Sequence, residues 1–259
     1  MGTSKSNIGP KGISSPIPSW SNDSPNDEDH IPTDNGEEEK EELKPWGNVK
    51  RSYSSFVKNP DKVSFKKLTN NYKKANGGDK ELSKSAIGGR KGARKLVQFL
   101  SAVSQNGFNK ACEEFQLGDL EGLSPEDAIN KICNLFENID GTDEGSAAKA
   151  AAVETINQLY ENYIEDSDVL NNLNVEQISD YLSLYISNYI FERLSIEVSK
   201  ALEENRFTKE QVMKANDTLK DFISAEVELN FAEKDFSSLD VQQQNVMITE
   251  IFTLAYSMI

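Results

Sequence analysis

From Val63 to the end of the chain, apolar residues recur at the three- and four-residue spacing of an α-helix, which limits what the chain can fold into. The longest such segment, residues 175–203, is apolar on more than one face and is expected at the centre of a bundle. No two segments alternate apolar and polar residues as paired strands do, and glycine is sparse after residue 145. The predicted fold class is therefore all-α, a helical bundle.

Capping and turn residues divide this periodic part into helices. Asn76-Gly77-Gly78 is expected to end a short basic helix, whereas Ser124 and Asp240 are expected to begin later ones. An alanine-rich helix is expected from about residue 145 to residue 166. Side chains predicted to lie in the core include Val63, Phe65, Leu68, Tyr72, Val153, Ile156, Val246 and Ile251.

The first 46 residues lack this periodicity. They are rich in Ser, Asn, Asp, Glu and Pro and include an acidic run at residues 37–42, so they cannot bury enough apolar surface to offset the entropy of ordering. We therefore predict a disordered acidic N-terminal tail, residues 1–46, followed by a helical domain, residues 47–259. Pro45-Trp46-Gly47 is interpreted as a boundary turn, with Trp46 packing on the edge of the domain.

Charge is distributed unevenly along the chain. The net charge of −15 consists of −6 over residues 1–49, +11 over residues 50–95 and −20 over residues 96–259. The basic block is either a polyanion site or an internal partner of the acidic body. If it is a polyanion site, the chain is a nucleic-acid-binding module. The candidate residues are Lys66, Lys67, Lys73, Lys74, Arg90, Lys91, Arg94 and Lys95.

Residues that could carry catalysis or hold a metal are scarce. Cys112 and Cys133 lie in apolar-periodic segments and are predicted to be buried thiols, and the lone His30 lies in the acidic tail far from both. A zinc site is therefore excluded. The chain has neither a nucleophile elbow nor a Walker-type phosphate loop, so we predict no enzyme activity, metal or cofactor. It also lacks an apolar run that could span a bilayer, and a cytosolic protein is expected.

Three glycines fall in one helical segment. Gly88, Gly89 and Gly92 each cost about 1 kcal/mol relative to alanine within a helix. Such glycines indicate close helix–helix packing, a break in the helix, or backbone that approaches a ligand. Close packing or a break is the favoured interpretation.

Gly2 stands out as a position for chemical modification. Removal of Met1 leaves a terminal amine on a residue with no Cβ, which titrates near pH ~7.7–8.0. Residues 1–6 also fit the N-myristoylation pattern, but a single acyl chain anchors weakly, and the nearest basic cluster lies beyond the acidic run. Ile17 and Trp20 are the large apolar groups beside the tail prolines, as in a short linear motif. We therefore expect Gly2 to be modified, and by something other than a lipid.

Three stretches, taken together, resemble the bacterial QatB family of the Qat antiphage defence system. The first is MGTSKS, followed by the Gly9-Pro10 pair and Trp20. The second is IGGRKGARKL, residues 87–96, which resembles the Gly-Ala-Arg helix of that family. The third comprises residues 117–120, 124–126 and 142–144.

This resemblance implies partners and a role. The Qat system also encodes a KAP-type P-loop ATPase (QatA-like), a relative of the deazaguanine-synthesis enzyme QueC (QatC-like) and a TatD-like metal-dependent nuclease (QatD-like). A QueC-like enzyme activates a deazaguanine carboxylate with ATP, and the resemblance implies that Gly2 supplies the attacking amine. The chain would then be an adaptor and a substrate that carries a deazaguanine adduct. Thr3, Ser4, Ser6 and Trp20 would position the tail in the enzyme's cleft.

The last helix offers a second attachment. Residues 240–259 carry more apolar positions than one buried stripe needs, and the chain ends without a polar tail. Either this helix docks entirely in its own core, or an exposed face of it binds the ATPase. We expect the body to recruit the ATPase while the tail is presented to the QueC-like enzyme.

Overall fold

The computed structural model describes residues 45–120, 123–136, 139, 141–165, 173–199, 207–228 and 239–259. Within these ranges the chain forms ten α-helices and no strand, so the predicted all-α class is confirmed. The predicted disordered tail lies outside the described residues, apart from Pro45 and Trp46.

The helices follow one another through short connections. The first five are α1 (Pro45–Lys58), α2 (Lys62–Ala75), α3 (Asp79–Ser85), α4 (Ile87–Asn106) and α5 (Phe108–Glu114). The next are α6 (Pro125–Cys133), which continues as a 3-10 turn at Asn134–Phe136, and α7 (Asp143–Glu165). The last three are α8 (Val175–Ser199), α9 (Lys209–Glu228) and α10 (Val241–Met258).

The segment predicted as a boundary turn is instead the first turn of α1. Proline is tolerated there because the first helical N–H groups have no partner within the helix. Trp46 does pack on the domain, since its ring meets that of Tyr72 edge-on with 6.2 Å between centroids. Val49 and Phe56, seven residues apart, are fully buried and hold α1 on the bundle. The folded body therefore includes Pro45 and Trp46.

Local capping signals are confirmed. The Ser124 hydroxyl accepts a hydrogen bond from the Asp127 N–H at 3.2 Å and begins α6. Asp240 begins α10 in a reciprocal capping box with Gln243. Asp61, which the sequence analysis did not single out, caps α2 through the Ser64 N–H at 2.7 Å. Each cap satisfies amide groups that the helix itself leaves unpaired.

The core centres on α8, as expected from its apolar composition. Leu182, Tyr185, Ile186, Tyr189 and Ile190 are fully buried along this helix. α8 packs mainly against α7 and α9, with α4 crossing it as well. The central helix therefore packs against both of its neighbours in sequence and also against α4, which lies much earlier in the chain.

The prediction of a core position is wrong for three residues. Val63 is 79% exposed, Val246 56% and Val153 42%. On each of these helices other residues form the buried stripe, so the apolar residue beside that stripe stays exposed to solvent. The segment that contains Gly88, Gly89 and Gly92 is α4, which begins just before them, since α3 ends around Ala86.

Candidate functional site

The N-terminal residues predicted to carry modification and recognition are Gly2, Thr3, Ser4, Ser6 and Trp20, and all of them lie outside the described residues. The structure therefore describes the body that would hold this segment. The predicted basic residues, the last helix and the core all fall within the described ranges.

The predicted basic residues lie on two different parts of the molecule. Lys66, Lys67 and Lys74 are exposed on α2. Lys73, also on α2, donates to the Ser257 carbonyl at 3.3 Å and lies 3.9 Å from Asp79. The other four residues belong to α4. The eight side chains are therefore divided equally between α2 and α4.

On α4, the basic side chains make contacts within the fold. The Arg90 guanidinium donates to the Thr249 hydroxyl at 3.1 Å and to the Lys84 carbonyl at 3.0 Å. Arg94 donates to the Asn245 amide oxygen at 2.5 Å, so both arginines run along α10. Lys95 donates to the Leu135 carbonyl at 2.5 Å, and Lys91 is half-buried. These residues help to fix α10 and the end of α6 on α4.

The outer face of α10 exposes two large apolar side chains. Val246 and Leu254 are 56% and 42% exposed and lie two turns apart. They border a shallow depression of about 650 Å³, whose described lining residues all belong to α10. The opposite face is buried through Phe252 and Tyr256. One face of this helix therefore docks in the core and the other faces solvent, and binding of the ATPase to the solvent face stays a prediction.

The glycines of α4 allow close helix packing. A Cβ on Gly89 would lie 2.6–2.8 Å from ring atoms of Tyr189, and one on Gly92 would lie 2.1 Å from the Tyr185 hydroxyl oxygen. Both tyrosines belong to the central helix α8 and are fully buried. The favoured interpretation, close packing, is confirmed, and it leaves no room for a ligand at these two glycines.

Glu144 binds the N-terminus of α4. Its carboxylate accepts the Gly88 and Gly89 N–H groups, each at 2.8 Å, and the Tyr189 hydroxyl at 2.7 Å. An anion at this position satisfies amides that the helix leaves unpaired and interacts favourably with the helix dipole. The contact joins the second and third stretches of the family resemblance. Sequence analysis missed it because Glu144 lies more than fifty residues from the amides it binds.

Arg193 is the centre of a buried polar network. Its guanidinium lies 2.9 Å from the Glu197 carboxylate and 2.9 Å from the Ser85 hydroxyl. It also donates to the Tyr189 and Tyr256 hydroxyls, both at 3.3 Å, and to a carbonyl of α3 at 3.1 Å. Burial raises the pKa of Tyr256 to about 12, so this phenol is neutral at physiological pH. The network joins α3, α8 and α10 inside the core.

Neither cysteine has the surroundings of a reactive thiol. Burial raises the pKa of Cys112 to about 12, with a further contribution from Asp119, and raises that of Cys133 to about 11. The thiolate is the nucleophile and the metal ligand, so both groups are inert near neutral pH. Cys112 is buried and Cys133 half-buried, and the two are not joined by a disulfide.

The described ranges contain no cluster of three or more histidine, cysteine, aspartate or glutamate side chains that could hold a metal ion. Across the same ranges, none of the helices is both long and apolar enough to cross a membrane. The polar groups brought together are those that hold helices to one another, around Glu144 and Arg193.

Comparison with known proteins identifies the family. The family model described as Qat anti-phage system associated protein QatB matches residues 77–259, well over half of the chain. The chain belongs to the QatB family. Among curated proteins and among solved structures, nothing matches. The matched region contains Glu144 and Arg193 with most of their partners. It begins after α1 and α2, and after the N-terminal stretch that resembles the family. Membership in this family makes the protein a component of an anti-phage defence system, with other Qat components as partners.

Proposed function

We propose that the protein is a non-catalytic component of the defence complex, where it acts as an adaptor and as the substrate of an N-terminal modification. Membership in the QatB family carries this proposal. The polar groups around Glu144 and Arg193 support it, because they bind helix ends and one another. A QueC-like partner would use ATP to activate its deazaguanine, and the proposed location of the complex is the bacterial cytoplasm.

The modification would form one amide bond. The neutral Gly2 amine attacks the carbonyl carbon of a deazaguanine acyl-adenylate, AMP leaves with the electron pair of the C–O bond, and the amine loses a proton. The absence of a Cβ on Gly2 leaves its nitrogen unhindered. Thr3, Ser4, Ser6 and Trp20 would hold the tail in the cleft of the enzyme. The protein itself needs no cofactor for this chemistry.

Co-expression with the QueC-like partner is expected to add one deazaguanine acyl group to the N-terminal peptide. Gly2→Ala should reduce the modified fraction, because a methyl group hinders the amine, and Gly2→Pro should nearly abolish it. Intact-mass and N-terminal peptide mass spectrometry measure both effects. An unmodified glycine in the presence of active partner would contradict the proposal, and the mass of a myristoyl group would replace it with lipidation.

A second attachment is proposed at α10, whose outer face would bind the P-loop ATPase. The exposed Val246 and Leu254 support this assignment, because apolar groups two turns apart on one helix face suit a helix or groove of a partner. The TatD-like nuclease would join through the other components. The two attachments should therefore be separable.

Removing residues 1–44 is expected to abolish the modification and leave ATPase co-purification intact. The deletion stops before Pro45 because Trp46 packs against Tyr72 and belongs to the folded body. The double variant Val246→Glu, Leu254→Glu should have the opposite effect. It should no longer co-purify with the ATPase, while Gly2 is still modified. Helical circular dichroism checks that each variant is folded. A folded truncated protein that no longer retains the ATPase would show that the tail carries both attachments.

The alternative is a nucleic-acid-binding module that uses the basic segment, residues 50–95. Arg90, Arg94 and Lys95 are engaged with α10 and with the turn after α6, whereas Lys66, Lys67 and Lys74 lie on another helix. A single phosphate-binding surface made of all eight residues is therefore not favoured by their positions.

A further inference from the structure

The helices α1 and α2 form an antiparallel pair, the basic hairpin (residues 45–75), which precedes the part of the chain matched to the QatB family. The Asn71 side-chain amide donates to the Asn48 carbonyl at 3.5 Å and joins the end of α2 to the start of α1. Eight cationic side chains and a single carboxylate give the hairpin a net charge of +7, in a chain whose total is −15. The hairpin is therefore opposite in charge to the chain as a whole.

Within the described residues, two of the eight cations on the hairpin lie near a carboxylate. Lys62 lies 3.4 Å from Glu226, and Lys73 lies 3.9 Å from Asp79. The one carboxylate, Asp61, is engaged in capping α2. The other six cations are exposed and form no ion pair within the described part of the chain. They are Lys50, Arg51, Lys58, Lys66, Lys67 and Lys74.

The spacing of these cations places them in rows on the outside of both helices. Arg51 and Lys58 lie seven residues apart on α1, and Lys67 and Lys74 lie seven residues apart on α2. Seven residues make two helical turns, about 10 Å along the axis, so each pair shares one face. The two rows run along neighbouring antiparallel helices and form an extended cationic surface.

The inner side of the hairpin keeps this surface in place. The Phe65 and Phe222 rings lie 5.1 Å apart between centroids, and the Tyr53 hydroxyl donates to Asn216 at 3.2 Å, so both helices are fixed on α9. The cations are therefore presented by a packed scaffold, which lowers the entropic cost of aligning them with a ligand.

The surface lacks the features of a protein-docking face or of a stacking platform. A protein interface has an apolar centre, but Val63 is the one large hydrophobic residue exposed on the hairpin. Binding of single strands relies on exposed aromatic rings. Here Tyr53 and Tyr72 are buried, and Trp46 is packed against Tyr72. An extended backbone of phosphates remains the fitting ligand.

We propose that the basic hairpin is a binding surface for double-stranded nucleic acid, which it contacts through the phosphate backbone without reading sequence. Lysines on a helical scaffold suit this role because they bind phosphates as point charges. If all six cations replace counterions, a plot of the logarithm of the binding constant against the logarithm of the salt concentration has a slope of about −5. The acidic remainder of the chain opposes binding, so we expect micromolar or weaker affinity at physiological salt.

The test measures fluorescence anisotropy of labelled duplex DNA and duplex RNA with the full-length protein over a salt series. The variant Lys66→Glu, Lys67→Glu, Lys74→Glu should weaken binding at least tenfold and flatten the salt slope. The matched control is Lys110→Glu, Lys209→Glu, Lys214→Glu, which changes the net charge equally at exposed positions on α5 and α9. It should retain most of the binding.

Two results would overturn the proposal. One is equal weakening by both triple variants, which would show an effect of net charge alone. The other is that the protein binds neither duplex at low salt, whether or not it binds vesicles of anionic lipid. Preference for the DNA or the RNA duplex identifies which backbone is bound. Gly2 modification, measured on the same variants, is expected to be unchanged, so failure of the hairpin proposal is distinguishable from failure of the proposed function.

Discussion

Replacing Arg193 with methionine is expected to lower the free energy of unfolding by about 3–5 kcal/mol, the usual cost of breaking a buried ion pair from one side. The methionine fills similar space but donates no hydrogen bond. The Glu197 carboxylate then loses its charged partner, and the Ser85 hydroxyl and the Leu82 carbonyl each lose the hydrogen bond from Arg193. Guanidinium unfolding followed by circular dichroism measures the change.

A double-mutant cycle distinguishes the network from simple loss of packing. Glu197→Gln in the Arg193→Met background should cost less than it does in the wild-type protein, because the unpaired carboxylate is gone. Lys62→Met is the matched control, since it breaks an exposed pair with Glu226 and should change stability by less than about 1 kcal/mol. A loss of stability for Arg193→Met as small as that of Lys62→Met would contradict a structural role for the network.

Gly89→Val is expected to destabilise the protein by about 3 kcal/mol, at the upper end of the cost of overpacking a core. The first added carbon alone would lie 2.6–2.8 Å from ring atoms of Tyr189, which is fully buried and cannot swing into solvent. Displacing that ring also disturbs its hydrogen bond to Glu144. Thermal and denaturant unfolding would both show the loss.

Gly47→Val serves as the control for this prediction. Gly47 also lies in a helix, but a Cβ there meets nothing within 4 Å. The change at Gly47 should stay within about 0.5 kcal/mol, as for most surface substitutions. Similar stability of the two variants would mean that α4 can move away from α8 at little cost, and that the close packing is not required.

Local signals in the sequence were enough to predict much of the fold. The caps at Ser124 and Asp240 act within three residues, so the sequence alone identifies where those helices begin. The central position of α8 was also predictable, because a helix that is apolar all round must be buried. α1 was missed because its first turn contains proline and glycine, which resemble a turn when the packing of Trp46 on Tyr72 is unknown.

The contacts around Glu144 and Arg193 could not be predicted in the same way. The Tyr189 hydroxyl and the Glu144 carboxylate are 45 residues apart in sequence, and Arg193 is 111 residues from the carbonyl that it binds on α3. Such pairs depend on how helices cross, which periodicity does not specify. The same holds for the basic block, because charge counting could not separate Lys66, which faces solvent, from Arg94, which contacts α10.

The antiparallel course of α1 and α2 also fixes where the hairpin enters and leaves the bundle. The start of α1 lies beside the end of α2, as the contact between the Trp46 and Tyr72 rings shows. The chain therefore returns at Tyr72 to nearly the place where it stood at Trp46. Removal of the hairpin would leave the start of the remaining chain close to the present position of Trp46.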